Sequence, residues 1–114
     1  MGVEQDKEFN DTLVESMDET ITALLSRDVT NAIYSHLERA HSISKDEIPY
    51  RLETVFSTLE KTFGGPSSMT ISKAIATKFY AKLGLTFPDI RDNSGRTLLE
   101  YVEEAKIKLQ GNQK

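Results

Sequence analysis

Apolar residues in this chain recur at steps of three and four, and no convincing Val/Ile/Thr alternation at steps of two accompanies them. That period belongs to helices that bury one face. Phe9, Leu13, Met17, Ile21 and Leu24 or Leu25 make the first stripe, which predicts a helix over 8–26. Val29, Ala32, Ile33, Leu37 and Ala40 make a second over 29–41, with Tyr34 on its border and Asp28 placed to cap it. The Arg27-Asp28 link is so short that these two helices should form an antiparallel or steeply crossed pair.

Punctuation between stripes divides the rest. Ser44 and Glu47 have capping-box spacing, and Pro49 suits a first helical position because its missing N–H costs nothing there. A short turn after Ser44 and a third helix over 49–63 follow, with Leu52, Val55, Phe56, Leu59 and Phe63 on one side. Gly64-Gly65-Pro66 should end it, and Ser67-Ser68 should open a fourth helix over 69–83. Ile71, Ile75, Phe79 and Leu83 line that fourth helix, and Gly84 can cap its end. Residues 85–96 form the longest irregular stretch, pinned by Phe87 and Ile90 and containing the turn cluster Asp92-Asn93-Ser94-Gly95. Thr97 and Glu100 make a second capping box before a fifth helix carrying Leu98, Val102, Ala105 and Leu109.

These stripes imply an all-α fold, a compact bundle of about five amphipathic helices. With 114 residues there is room for one domain, here 8–110, between an acidic N-terminal tail at 1–7 and a flexible C-terminal tail at 111–114.

Composition closes off several chemistries. The chain has no cysteine, which excludes disulfides, thiolate zinc sites and cysteine nucleophiles. His36 and His41 are five apart, whereas metal-binding pairs on one helical face need three or four. If Gly95 took the sixth place of a calcium loop, Ile90 and Tyr101 would fall where carboxylates are required. Gly64-Gly65-Pro66-Ser67-Ser68 precedes a helix but lacks the Lys-Ser/Thr pair of a phosphate loop. No cofactor or metal is therefore expected, and no local spacing marks a catalytic centre. No run reaches the roughly 18–20 apolar residues of a membrane span. Met1-Gly2-Val3-Glu4-Gln5-Asp6 has neither the basic nor the apolar region of a secretory signal, so a cytoplasmic location is expected.

Charge is unevenly spread. Residues 1–20 carry seven acids and one base, 21–60 six and four, and 61–114 five and nine, so the net charge of −4 runs from −6 through −2 to +4. The fourth helix bears Lys73, Lys78 and Lys82 and no acid. A solvated surface is the plainest reading of those lysines, docking on the acidic first helix the second, and nucleic-acid binding the third. Nucleic acid is disfavoured because an acidic domain repels phosphate at long range. The fourth helix is also apolar over a wide arc, which would favour a homodimer or a protein partner if one monomer could not cover it.

Several segments together have a familiar look: Ala32-Ile33-Tyr34-Ser35-His36-Leu37-Glu38, Ile48-Pro49, Leu59-Glu60-Lys61-Thr62-Phe63-Gly64 and Leu83-Gly84-Leu85. The pattern, over roughly 9–85, resembles the Nitrosopumilus output domains, a small archaeal helical family (the fifth of that series). The resemblance implies a cytoplasmic α-helical signalling output module and brings no catalytic residues. The function expected is a non-enzymatic protein-interaction module working through helix faces, with Tyr34, Tyr80, Lys73, Lys78 and Lys82 as the candidate surface. Two alternatives stand beside it: a histidine phosphotransfer-like module using His41, and a nucleic-acid-associated regulator using the three lysines. Ala40-His41-Ser42-Ile43-Ser44-Lys45 carries the first alternative, although the glycine expected after the lysine is absent.

Overall fold

The structure is a computed structural model that describes residues 2–87 and 97–112, with side chains over 7–87 and 97–109. Among these residues it contains five α-helices, one 3-10 helix and no strand. The all-α bundle is what the stripes require. Ile90, the turn cluster at 92–95 and the last two residues lie outside the described residues.

Helix α1 is Gly2–Leu24. The segment 1–7, expected as a tail, belongs to this helix from Gly2 onward; acidic residues near a helix N-terminus favour its positive dipole end. Phe9, Leu13, Met17 and Ile21 are buried as the stripe demands. Helix α2 is Arg27–His41. Its cap is Ser26, whose Oγ accepts from the Val29 N–H at 3.1 Å, and Asp28 sits inside the first turn instead. Ile33 and Leu37 are buried, but Ala32 and Ala40, expected inside, are exposed. Helix α2 closes on Ser42 in the left-handed region at φ 57, and the Ile43 N–H reaches back to the Leu37 carbonyl at 3.0 Å. Buried Ile43 anchors that exit.

A 3-10 helix, Lys45–Tyr50, follows. The Ser44–Glu47 capping box is present, with the Ser44 N–H donating to Glu47 Oε1 at 3.0 Å. Pro49 lies inside this 3-10 helix, so helix α3 starts later than expected, at Leu52, and runs Leu52–Phe63. Gly64 alone links it to helix α4, Gly65–Leu83. Gly65 and Pro66, read as the end of one helix, are in fact the start of the next, a place where proline costs no hydrogen bond. Helix α4 ends on Gly84 at φ 74, with the Leu85 N–H donating to the Tyr80 carbonyl at 2.9 Å. Helix α5 is Leu98–Asn112, opened by the Thr97–Glu100 box.

Helix α4 is the hub. It packs on α1, α3 and α5, while α2 and the 3-10 helix lie on α1. Ser68, Ile71, Ser72, Ile75, Ala76, Phe79 and Tyr80 are all buried along it. Three neighbours thus cover Ile71, Ile75, Ala76, Phe79 and Tyr80 of the wide apolar arc within one chain. Tyr80 is 0 % exposed, its hydroxyl donating to the Tyr101 carbonyl at 2.7 Å. Its ring meets Phe87 edge-on at 5.2 Å, and Phe87 stacks on Tyr101 at 5.4 Å. Phe87 is therefore the pin it was expected to be, and it fastens α5 to α4.

Candidate functional site

The most elaborated polar feature lies where α1, α2 and the 3-10 helix converge. Asp18 projects from α1 with its side chain 18 % exposed. Arg27 reaches it at 3.0 Å, the Tyr34 hydroxyl donates to it at 3.0 Å, and the Lys45 ammonium stands 3.7 Å away. Lys45 also lies over the Tyr34 ring, 4.7 Å from its centroid. One carboxylate thus ties the start of α2, its middle and the 3-10 helix to α1. The Arg27 hydrogen bond holds the Asp18 carboxyl below its ordinary range, with Tyr34 and Lys45 adding to it against the opposing effect of burial. Burial, reinforced by the Asp18 carboxylate, pushes the Tyr34 phenol well up.

A carboxylate held low stabilises the fold above its unfolded pKa and ceases to do so as pH falls through the folded value. Asp18→Asn should therefore cost about 1 kcal/mol at neutral pH, since the bonds are charge-assisted but partly solvated. That difference should vanish in acid, well below the ordinary aspartate pKa of about 3.9. Urea unfolding of both proteins at neutral and acidic pH checks it; an equal gap at both would show that the charge plays no part.

Beside this junction a cleft of about 1370 Å³ runs along α1. Val14, Pro49 and Tyr50 are among its lining residues, together with Asp11, Glu15 and Asp46. Tyr50 is 73 % exposed, the most exposed large apolar side chain among the described residues. Its hydroxyl accepts from Asn10 Nδ2 at 2.9 Å, which holds the ring over the cleft. Tyr50 was not singled out from sequence. One signal was available: Tyr50 is off the stripe of α3, because the positions three, four and seven ahead of it are Glu53, Thr54 and Ser57.

The residues that were singled out are scattered. Tyr34 is half-buried, with its hydroxyl committed to Asp18. Tyr80, placed on a surface by the sequence reading, is inside the core because α5 and Phe87 cover it. Lys78 pairs with Glu19 at 3.5 Å, and Lys82 pairs with Glu15 and with Glu19, each at 3.3 Å. These acids push the Lys82 ammonium pKa up, Glu15 most. Docking on acidic α1 therefore describes these two lysines better than a free solvated face. Lys73 makes no ion pair among the described residues. The three lysines do not assemble into one open basic patch.

His41 is the last residue of α2, and its ring meets that of His36 edge-on at 5.7 Å. A phosphoryl group there would add negative charge at the negative end of the helix dipole, an unfavourable place for it. Among the described residues no group of three or more His, Asp or Glu could hold a metal ion. No described helix is long and apolar enough to cross a membrane. No protein-family model, curated protein or solved structure matches the chain.

Proposed function

We propose that this chain is a non-enzymatic protein-interaction module, a cytoplasmic output domain of the archaeal signalling type its sequence resembles, acting through the face where α1 meets the 3-10 helix. The observation that carries this is Tyr50. Its ring stands 73 % exposed at an open, charged cleft, while Tyr34, Tyr80, Lys78 and Lys82 are taken up by internal bonds. Large aromatic rings contribute most when a partner excludes water from them. The core is complete without a second chain, so the exposed ring needs no partner for folding.

Light scattering across a concentration series, together with affinity capture on the immobilised full chain, tests the reading. An association with a specific protein, or with a second copy, is expected, and Tyr50→Ala should weaken it. A mass of 12.8 kDa at every concentration, combined with an empty capture, would overturn it.

A further inference from the structure

Helix α2 is fastened differently from its neighbours. Of its 15 residues only Thr30, Ile33 and Leu37 are buried, against seven of 19 in α4. Its packing is chiefly on α1, outside the shell that α1, α3 and α5 form around α4. Ile33 and Leu37 are one helical turn apart on a single stripe, so they leave α1 together or not at all. The rest of the joint is polar. Arg27 and Tyr34 of α2 both bond Asp18 of α1, and the Thr22 and Thr30 hydroxyls share a hydrogen bond at 2.9 Å. Lys45, just beyond α2, closes on the same carboxylate and on the Tyr34 ring.

The chain on either side of α2 is held without it. Helix α1 is bound to α4 by the Phe9–Phe79 contact and by the pairs of Glu15 with Lys82 and Glu19 with Lys78. Past α2, Ile43 and Ile48 are each 1 % exposed, and the 3-10 helix packs on α1 and α3. Between these anchored segments and α2 lie two turning points, Leu25-Ser26 at one end and Ser42, at φ 57, at the other.

We infer that α2 is a flap latched by Asp18. It comes off α1 as one unit when Arg27 and Tyr34 let go of that carboxylate, pivoting at Leu25-Ser26 and at Ser42. Helix α1, the 3-10 helix and α3 to α5 stay folded. A segment with few buried apolar side chains and a single main neighbour opens at a lower free energy than the core it rests on. The open form uncovers the side of α1 that Ile33 and Leu37 cover in the closed one. The inference follows from the packing and is independent of the interaction-module reading.

Native-state hydrogen exchange of the full chain at neutral pH, over a range of low urea concentrations and read amide by amide, tests it. The amides in the middle of α2 should form one class with a shared urea slope, and both slope and protection should be lower than in α4. Val102→Ala trims a buried side chain of α5, which packs on α3 and α4. It should speed exchange in α4 by at least about fivefold and leave α2 within about twofold, because α5 stays folded when α2 opens. Asp18→Asn weakens the closed state from which both openings start, so it should speed exchange in α2 and in α4 alike, by about fivefold. Equal acceleration of the two helices in Val102→Ala would mean that α2 opens only with the whole domain. Exchange in α2 without any urea slope would mean that it frays residue by residue. No acceleration of α2 in Asp18→Asn would remove the latch. Each of these three outcomes overturns the inference.

Discussion

Phe79→Ala is expected to lower the unfolding free energy by about 3–5 kcal/mol. Phe79 is 0 % exposed, meets Phe9 of α1 edge-on at 5.0 Å and lies 6.5 Å from the Tyr80 ring. The cost belongs at the high end for a phenylalanine because the site cannot collapse. Helix α4 is held on three sides by α1, α3 and α5, so no single neighbour can shift inward without leaving another gap. A domain of this size is typically stable by only about 5–15 kcal/mol, so the variant should retain little cooperative structure near body temperature. Half-buried Phe56 on α3 provides the control, and Phe56→Ala should cost clearly less. Urea unfolding followed by circular dichroism measures both. A loss below about 1 kcal/mol for Phe79→Ala would mean that α4 is not the centre of the core.

Gly64→Ala should cost about 1–3 kcal/mol, although an added methyl touches nothing within 4 Å. The whole cost is in the backbone. Gly64 has φ 87 and ψ 165, a region essentially closed to residues with a Cβ, and it is the sole link between α3 and α4. Gly84, at φ 74 and ψ 24, lies in the milder left-handed region that asparagine tolerates. Gly84→Asn should therefore be nearly neutral, while Gly64→Asn should be about as damaging as Gly64→Ala. Chemical denaturation of the three variants separates the cases. Equal behaviour of asparagine at the two positions would refute the distinction.

Much of the fold was legible in the sequence because periodic burial leaves a periodic trace. Phe9, Leu13, Met17 and Ile21 are each separated by four residues, and all four are buried. The two Ser/Thr–Glu boxes and Gly84 also did locally what their chemistry suggests. The misreadings occur where one residue type has two uses. Proline can end a helix or start one, so Gly64-Gly65-Pro66 is ambiguous until the single-residue link is seen. Ser26 and Asp28 are both good caps two residues apart, and the exit from α1 at Leu24 decides between them. Ala32 and Ala40 were read as part of the buried stripe, but alanine gains little from burial, so its spacing alone does not fix which way it faces.

The candidate site was far less legible. The cleft joins Asn10 and Val14 of α1 to Pro49 and Tyr50, more than thirty residues later, and no local spacing encodes that meeting. The opposite charges of α1 and α4 were visible as an uneven distribution along the chain, but their pairing became definite only in the antiparallel match of Glu15 with Lys82 and Glu19 with Lys78. Tyr80 shows the reverse difficulty. A helix apolar over a wide arc looks like a surface in need of a partner, and here the partner is α5 of the same chain.

The central place of α4 also has a consequence in time. Its chief partner, α1, is made first, and forty residues separate the end of α1 from the start of α4. During synthesis α1 must wait with Leu13, Met17 and Ile21 uncovered, and α2 can shield only part of that stripe. Such long-range pairing slows folding relative to a bundle of sequential neighbours. Amide exchange should accordingly be slowest in the middle of α4, whose hydrogen bonds open only when the last of its three neighbours has let go.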